Sequence, residues 1–98
     1  MYQNKNGEPL ELILYKYDTC WFCRSVMEAI EQMQLTISYR DIHRDQGAIE
    51  ELMKVGGKGQ VPCLFINGKA LYESAVIVHF LETLLIVILA SGFFPCTS

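Results

Sequence analysis

Cys20-Trp21-Phe22-Cys23 sets two thiols three residues apart. At the start of a helix that spacing places them one turn from each other, close enough to form a disulfide. The first thiol then sits where unpaired backbone N–H groups and the helix dipole stabilise a thiolate. The thiolate is the nucleophile in disulfide exchange, so the motif predicts a chemistry as well as a shape. Taken alone, the dithiol leaves thiol–disulfide exchange, a structural zinc and a disulfide scaffold open.

The elements that must position these thiols are legible around them. Residues 10–17 are rich in Leu, Ile and Tyr and apolar on both faces, as in a central buried strand. Asp18 and Thr19 break the run and can cap a helix after it. From Trp21 to Gln34, Phe22, Val26, Ile30 and Met33 recur at helical spacing, with Arg24, Ser25, Glu28, Glu31 and Gln32 on the other side. Residues 35–42 alternate in part, Ile37 and Tyr39 against Ser38 and Arg40, and predict a second strand parallel to the first. Asp45 is a cap candidate for a second helix with Ile49, Leu52 and Met53 inward, and Gly56-Gly57 ends it. Residues 61–66 form a third strand opened by Pro62. Asn67-Gly68 is a strong hairpin signal and returns residues 69–71 as an antiparallel fourth strand. Ser74 opens a third helix to about Thr83. The expected order is β-α-β-α-β-β-α: an α/β domain with a four-stranded mixed sheet flanked by helices.

The 98 residues suit one small domain with its own core. Apolar residues make up 51% and charged residues 19%, which excludes a disordered chain. A net charge of −3 gives no reason to expect nucleic acid or an acidic membrane as partner. Residues 1–9 lack the apolar segment of a secretory signal and read as a flexible lead-in, so the expected compartment is the reducing cytoplasm. There a CxxC is more often catalytic or metal-binding than a structural staple. A zinc site needs a second ligand pair, and Cys63 and Cys96 lack the spacing, so no metal is expected. His43, in a loop, and His79, on the third helix, carry no evident chemistry.

The CxxC after the first strand, Val61-Pro62 before the third and this element order resemble the glutaredoxin family of the thioredoxin-like fold. Gln60-Val61-Pro62 and the run Leu71-Tyr72-Glu73-Ser74-Ala75-Val76-Ile77 are also similar to the glutathione-binding half of glutathione transferase N-terminal domains. The resemblance spans residues 10–83 and implies glutathione as co-substrate. It implies a cis Pro62, with the Val61 backbone pairing with the cysteinyl part of glutathione like an added strand. It implies that Ser74 holds the γ-glutamyl carboxylate and Glu73 its amino group, at a helix N-terminus suited to an anion. A Ser there is also an ordinary N-cap, and both readings stay open. Lys58, in a glycine-rich loop, can meet the glycyl carboxylate, and Gln60 can add hydrogen bonds. Lys16 and Arg24 are candidates to stabilise the thiolate. Arg24 sits in a first turn, where the helix dipole disfavours a cation.

The chain departs from the dithiol glutaredoxin pattern in having Trp21-Phe22 where that family carries Pro-Tyr. Proline there fixes φ and removes an orphan N–H. Family members without it sometimes hold a [2Fe–2S] cluster between two protomers. Trp21 can stack over the site or cover apolar surface. Cys63 is expected as a small buried core residue, with a third redox thiol as its rival. Residues 84–98 form an apolar tail. With the third helix they give an apolar stretch long enough to span a bilayer, but His79, Glu82 and Thr83 interrupt it and the part left free is too short. Packing, a dimer contact or an aggregation-prone end is the expected reading, and no membrane is expected as partner.

The sequence therefore predicts a glutathione-dependent thiol–disulfide oxidoreductase. Cys20 is its nucleophile and Cys23 resolves. Disulfide or glutathionylated proteins are its partners, and it is a monomer or weak dimer. The alternatives are a glutathione-ligated [2Fe–2S] carrier and a transferase-like protein. Against the transferase stands a chain that ends where the helical second domain would begin.

Overall fold

The computed structural model describes residues 2–3 and 7–90. The elements are β1 (Tyr2–Gln3), β2 (Pro9–Leu10), β3 (Leu12–Lys16), α1 (Trp21–Gln32), β4 (Ser38–Asp41), α2 (Gln46–Gly56), β5 (Cys63–Ile66), β6 (Lys69–Tyr72) and α3 (Ser74–Ala90). A four-stranded sheet has the order β4-β3-β5-β6, with β3 and β4 parallel and the other pairs antiparallel. From β3 onward this is the expected β-α-β-α-β-β-α order.

β3 and β5 are buried on both faces because helices cover both sides of the sheet. Leu12, Leu14 and Leu64 pack with Val26 and Ile30 of α1 and with Ile77, Leu81 and Leu84 of α3. Tyr15, Cys63 and Phe65 face the other way, against Ala48 and Leu52 of α2. The period-two alternation of a strand divides the two sets. The hairpin turn is of the primed kind, with φ of 50° at Asn67 and 82° at Gly68, which Asn and Gly tolerate best. The Asn67 side chain also accepts from the Glu11 N–H at 2.6 Å and donates to the Pro9 carbonyl at 3.2 Å.

Several expectations are corrected. Phe22 is exposed, and Cys23, Val26 and Ile30 form the inward stripe of α1. Phe22 lies at the margin of that stripe and Cys23 near its centre. Met53 is exposed rather than inward, one residue round the helix from buried Leu52. Asp45 does occupy the N-cap position of α2, but its carboxylate makes no cap bond; it takes the Arg40 guanidinium at 2.9 and 3.1 Å instead. α1 stops at Gln32 with left-handed Gln34 beyond it, and the Leu35 N–H donates back to the Ile30 carbonyl. Near the N-terminus, β1 pairs with β2, and the Tyr2 hydroxyl accepts from the Thr36 N–H. α3 continues past Thr83 to Ala90 as one helix. Among the described residues no helix is long and apolar enough to cross a membrane. Cys96 and the rest of residues 91–98 lie outside the described residues.

One close approach ties α2 to the end of β6. A Cβ added at Gly56 would overlap the Tyr72 hydroxyl, which donates to the Lys58 carbonyl at 2.8 Å. Gly56→Ala must therefore displace the Tyr72 ring. It is expected to lower unfolding free energy by about 1–3 kcal/mol, measured by urea titration, whereas Gly57→Ala acts only through its left-handed φ of 81°.

Candidate active site

Register brings the chemistry to one end of the sheet. Tyr15 pairs with Cys63 and Cys63 with Tyr72, while Lys16 pairs with Asp41. β3 and β4 thus end, and β5 begins, at one level, where β6 also ends. From that level emerge the Tyr17–Cys20 turn, the Val61-Pro62 bond, Glu73-Ser74 and the loop after β4. The Val61-Pro62 peptide is cis, as the resemblance implied.

Cys20 is the N-cap of α1, with extended backbone (φ −77°, ψ 120°). Its N–H donates to the Tyr17 carbonyl at 3.2 Å, and its own carbonyl accepts the first helical bond from Arg24 at 3.0 Å. Its sulfur accepts from the Cys23 N–H at 3.4 Å, the place a serine or aspartate oxygen takes in an ordinary cap. The sulfur thus faces the first turn of α1, and Cys20 is 8% exposed. Cys23 lies one turn on and is fully buried. Burial, with the hydrogen bond to Cys20 second, pushes its thiol up to about 12, so it keeps its proton at neutral pH. The two thiols are therefore inequivalent.

Lys16 and Arg24 take different places: Lys16 is ion-paired beside the turn before Cys20 and its charge reaches Cys23, whereas Arg24 lies on the solvent face of α1. Lys16 contacts Asp18 at 2.7 Å and Asp41 at 3.6 Å. Its hydrogen bond to Asp18 is the main reason its pKa is raised. Arg44 joins the same carboxylates at 3.3 and 3.8 Å. This four-charge cluster links the turn before Cys20 to the loop after β4, and His43 stacks on Tyr17 beside it, ring centroids 4.2 Å apart. Sequence reading missed the cluster because it depends on the parallel register; the run of charges in residues 40–45 was its only trace. Arg24 is exposed and makes no ion pair among the described residues.

On the other side of the site, Gln60 is exposed, Val61 half-buried and Pro62 buried. Lys58 is held beside β6, its ammonium 4.8 Å from the Tyr72 ring centroid. Glu73 has φ of 74°, a left-handed conformation that costs a non-glycine residue on the order of 1–3 kcal/mol. Its carbonyl accepts the first helical bond of α3 from Ile77 at 2.9 Å. Glu73 thus occupies the cap position, and Ser74 is the first helical residue rather than the N-cap. The Ser74 hydroxyl has no partner among the described residues.

Cys63 follows Pro62 but points to the α2 face, away from α1. It is fully buried, and burial raises its thiol to about 11. Cys63 is a buried core residue, as expected. Among the described residues no group of three or more His, Cys, Asp or Glu is arranged to hold a metal ion.

The fold, with a helix-start cysteine and a cis proline at the same end of the sheet, defines a thioredoxin-like protein. Residues 14–84 match the family described as glutathione S-transferase, N-terminal domain, and the chain belongs to it. No match is found among curated proteins. Similar solved structures include a glutathione transferase homologue from Drosophila mojavensis with bound glutathione (TM-score 0.66, 23% identity, covering 76% of this chain and 35% of that one). Another is glutathione transferase Omega 3C from Trametes versicolor (TM-score 0.63, 26% identity, 76% and 34%). A variant of the thioredoxin-like protein BC3987 is matched over nearly its whole length (TM-score 0.65, 20% identity, 76% and 99%). The chain spans about a third of the length of the transferases it resembles.

The thiol asymmetry sets a labelling outcome. In the folded protein at pH 7.5, iodoacetamide is expected to modify Cys20 at least tenfold faster than Cys23 or Cys63, since the latter two are fully buried with thiols pushed up to about 12 and about 11, whereas Cys20 keeps 8% exposure at the start of α1. Peptide mapping after timed quenching reads this. Comparable rates at Cys20 and Cys23 would remove the assignment of roles.

Proposed function

We propose that this protein is a glutathione-dependent thiol–disulfide oxidoreductase. The observation that carries the reading is Cys20 at the α1 N-terminus, its sulfur accepting the Cys23 N–H, with a protonated Cys23 one turn away. The Cys20 thiolate attacks the glutathionyl sulfur of a protein–glutathione mixed disulfide. The Cys20–glutathione disulfide forms as the substrate's sulfur–sulfur bond breaks, and the substrate sulfur leaves with the electron pair and takes a proton. A second glutathione thiolate then attacks the glutathionyl sulfur, giving glutathione disulfide and restoring the Cys20 thiolate. Alternatively Cys23, on losing its proton, attacks the Cys20 sulfur and expels glutathione, and two further glutathiones reduce the resulting disulfide.

Glutathione lies across the same end of the sheet. The Val61 backbone before cis Pro62 pairs with its cysteinyl part. The Ser74 hydroxyl, which has no partner among the described residues, and the α3 N-terminus receive the γ-glutamyl carboxylate, and Glu73 the amino group. Lys58 and Gln60 meet the glycyl end. The reducing cytoplasm keeps both active-site thiols available. The glutathione bound to the Drosophila mojavensis homologue supports this choice of ligand.

Family membership favours a second reading, conjugation of glutathione to electrophiles. It differs in outcome: conjugation of a generic aryl halide continues without Cys23 and releases no glutathione disulfide.

Cys20→Ser is expected to abolish glutathione-dependent reduction of hydroxyethyl disulfide, while Cys23→Ser retains it. Ser74→Ala should raise KM for glutathione roughly fivefold to thirtyfold, as loss of a charge-assisted hydrogen bond does. A Cys20→Ser variant as active as the parent would refute the reading.

A further inference from the structure

Trp21, Arg24, Ser25 and Glu28 line a groove of about 200 Å³ on the solvent face of α1. Their spacing is i, i+3, i+4, i+7, one continuous stripe that begins beside Cys20. Trp21 is 76% exposed and its neighbour Phe22 59%. Single exposed apolar residues are ordinary, but these are consecutive aromatics adjoining the nucleophile. Arg24 is unpaired by any carboxylate of the described residues, including Glu28 on its own face. Nor is it among the charges that bear on Cys23, where Lys16 is the cation felt. An exposed Trp beside a free Arg is the composition of a contact centre for another polypeptide.

We infer that this stripe is the docking track for the polypeptide flank of a glutathionylated substrate, and that it reads an apolar, then an acidic, then a basic residue outward from the reacting cysteine. The inference rests on the oxidoreductase reading and names its substrate class. Along a helix Arg24 lies roughly 4–5 Å beyond Trp21, and Glu28 about 6 Å further. An extended peptide advances about 3.3 Å per residue. One to two residues of substrate therefore separate the group on Trp21 from the group on Arg24, and about two separate the latter from the group on Glu28. The charges of the track then oppose those of the substrate in order: cation to carboxylate, carboxylate to ammonium. Ser25, between them, hydrogen-bonds the substrate main chain.

Two composition-matched peptides test the order. Each carries one glutathionylated cysteine, followed by Leu-Asp-Ala-Lys in one and Leu-Lys-Ala-Asp in the other. A second pair places the same flanks on the N-terminal side. In at least one pair, kcat/KM is expected to favour the apolar–acidic–basic order about threefold to tenfold in low salt, the scale of two exposed ion pairs. The preference should fall towards unity near 0.5 M salt. The double variant Arg24→Glu with Glu28→Arg should invert it, and Trp21→Ala should slow both peptides about tenfold. The mixed disulfide of glutathione and mercaptoethanol, which has no flank, is the reference substrate. If it is reduced while all the peptides react alike, the track is refuted and the oxidoreductase reading stands. If it is not reduced, both fall. Equal peptide rates together with a homodimer that Trp21→Ala dissolves would assign the stripe to a second copy of the chain and overturn the inference.

Discussion

β3 is bonded along both edges and buried on both faces, and the positions of the groups around Cys20 depend on its register. Pairing Lys16 with Asp41 and Tyr15 with Cys63 fixes where β4 ends and β5 begins. Pairing Cys63 with Tyr72 then fixes where α3 starts. A slip of one residue would turn Leu14 and Tyr15 to the wrong layers and carry Pro62 away from the level of Cys20. The apolar contacts that hold this register are therefore also what assembles the site.

Around that frame, local interactions divide the work between the two cysteines and between the two sides of the site. Cys20 caps its helix through sulfur, whereas Cys23 lies inside the protein, where burial keeps its proton. The charge cluster of Lys16, Asp18, Asp41 and Arg44 steadies the turn that carries Cys20. Across the site, Tyr72 holds the Lys58 loop, and only a glycine at position 56 leaves room for its hydroxyl. Glu73 keeps a left-handed backbone, and Ser74 is the first residue of α3. Such local strain is retained where the surrounding structure over-determines it, often at a binding site.

Much of this was legible in the chain because its local signals agree. The both-face apolar strand, the CxxC before a helical period, the Asn67-Gly68 turn and the stop at Gly57 each specify an element, and their order specifies the fold. Less legible was whatever depends on rotation about a helix or on contact across the chain. Phe22 and Cys23 both lie near the Val26–Ile30 stripe, and only packing decides that Cys23 turns in. Met53 next to Leu52 poses the same ambiguity. Asp45 is the N-cap its place in the sequence announced, but that its carboxylate takes Arg40 rather than a helix N–H depends on the turn between β4 and α2. The pairing of β1 with β2 consists of Tyr2 with Leu10 and Gln3 with Pro9, too short for any periodicity to announce it.

The central claim is that Cys20 is a nucleophile poised for the glutathionyl sulfur. Intact-mass and peptide-mapping spectrometry of Cys23→Ser after exposure to glutathione disulfide tests it most directly. The account predicts a single glutathione adduct, on Cys20, that excess glutathione removes. No adduct on Cys20, or adducts spread evenly over Cys20 and Cys63, would contradict it.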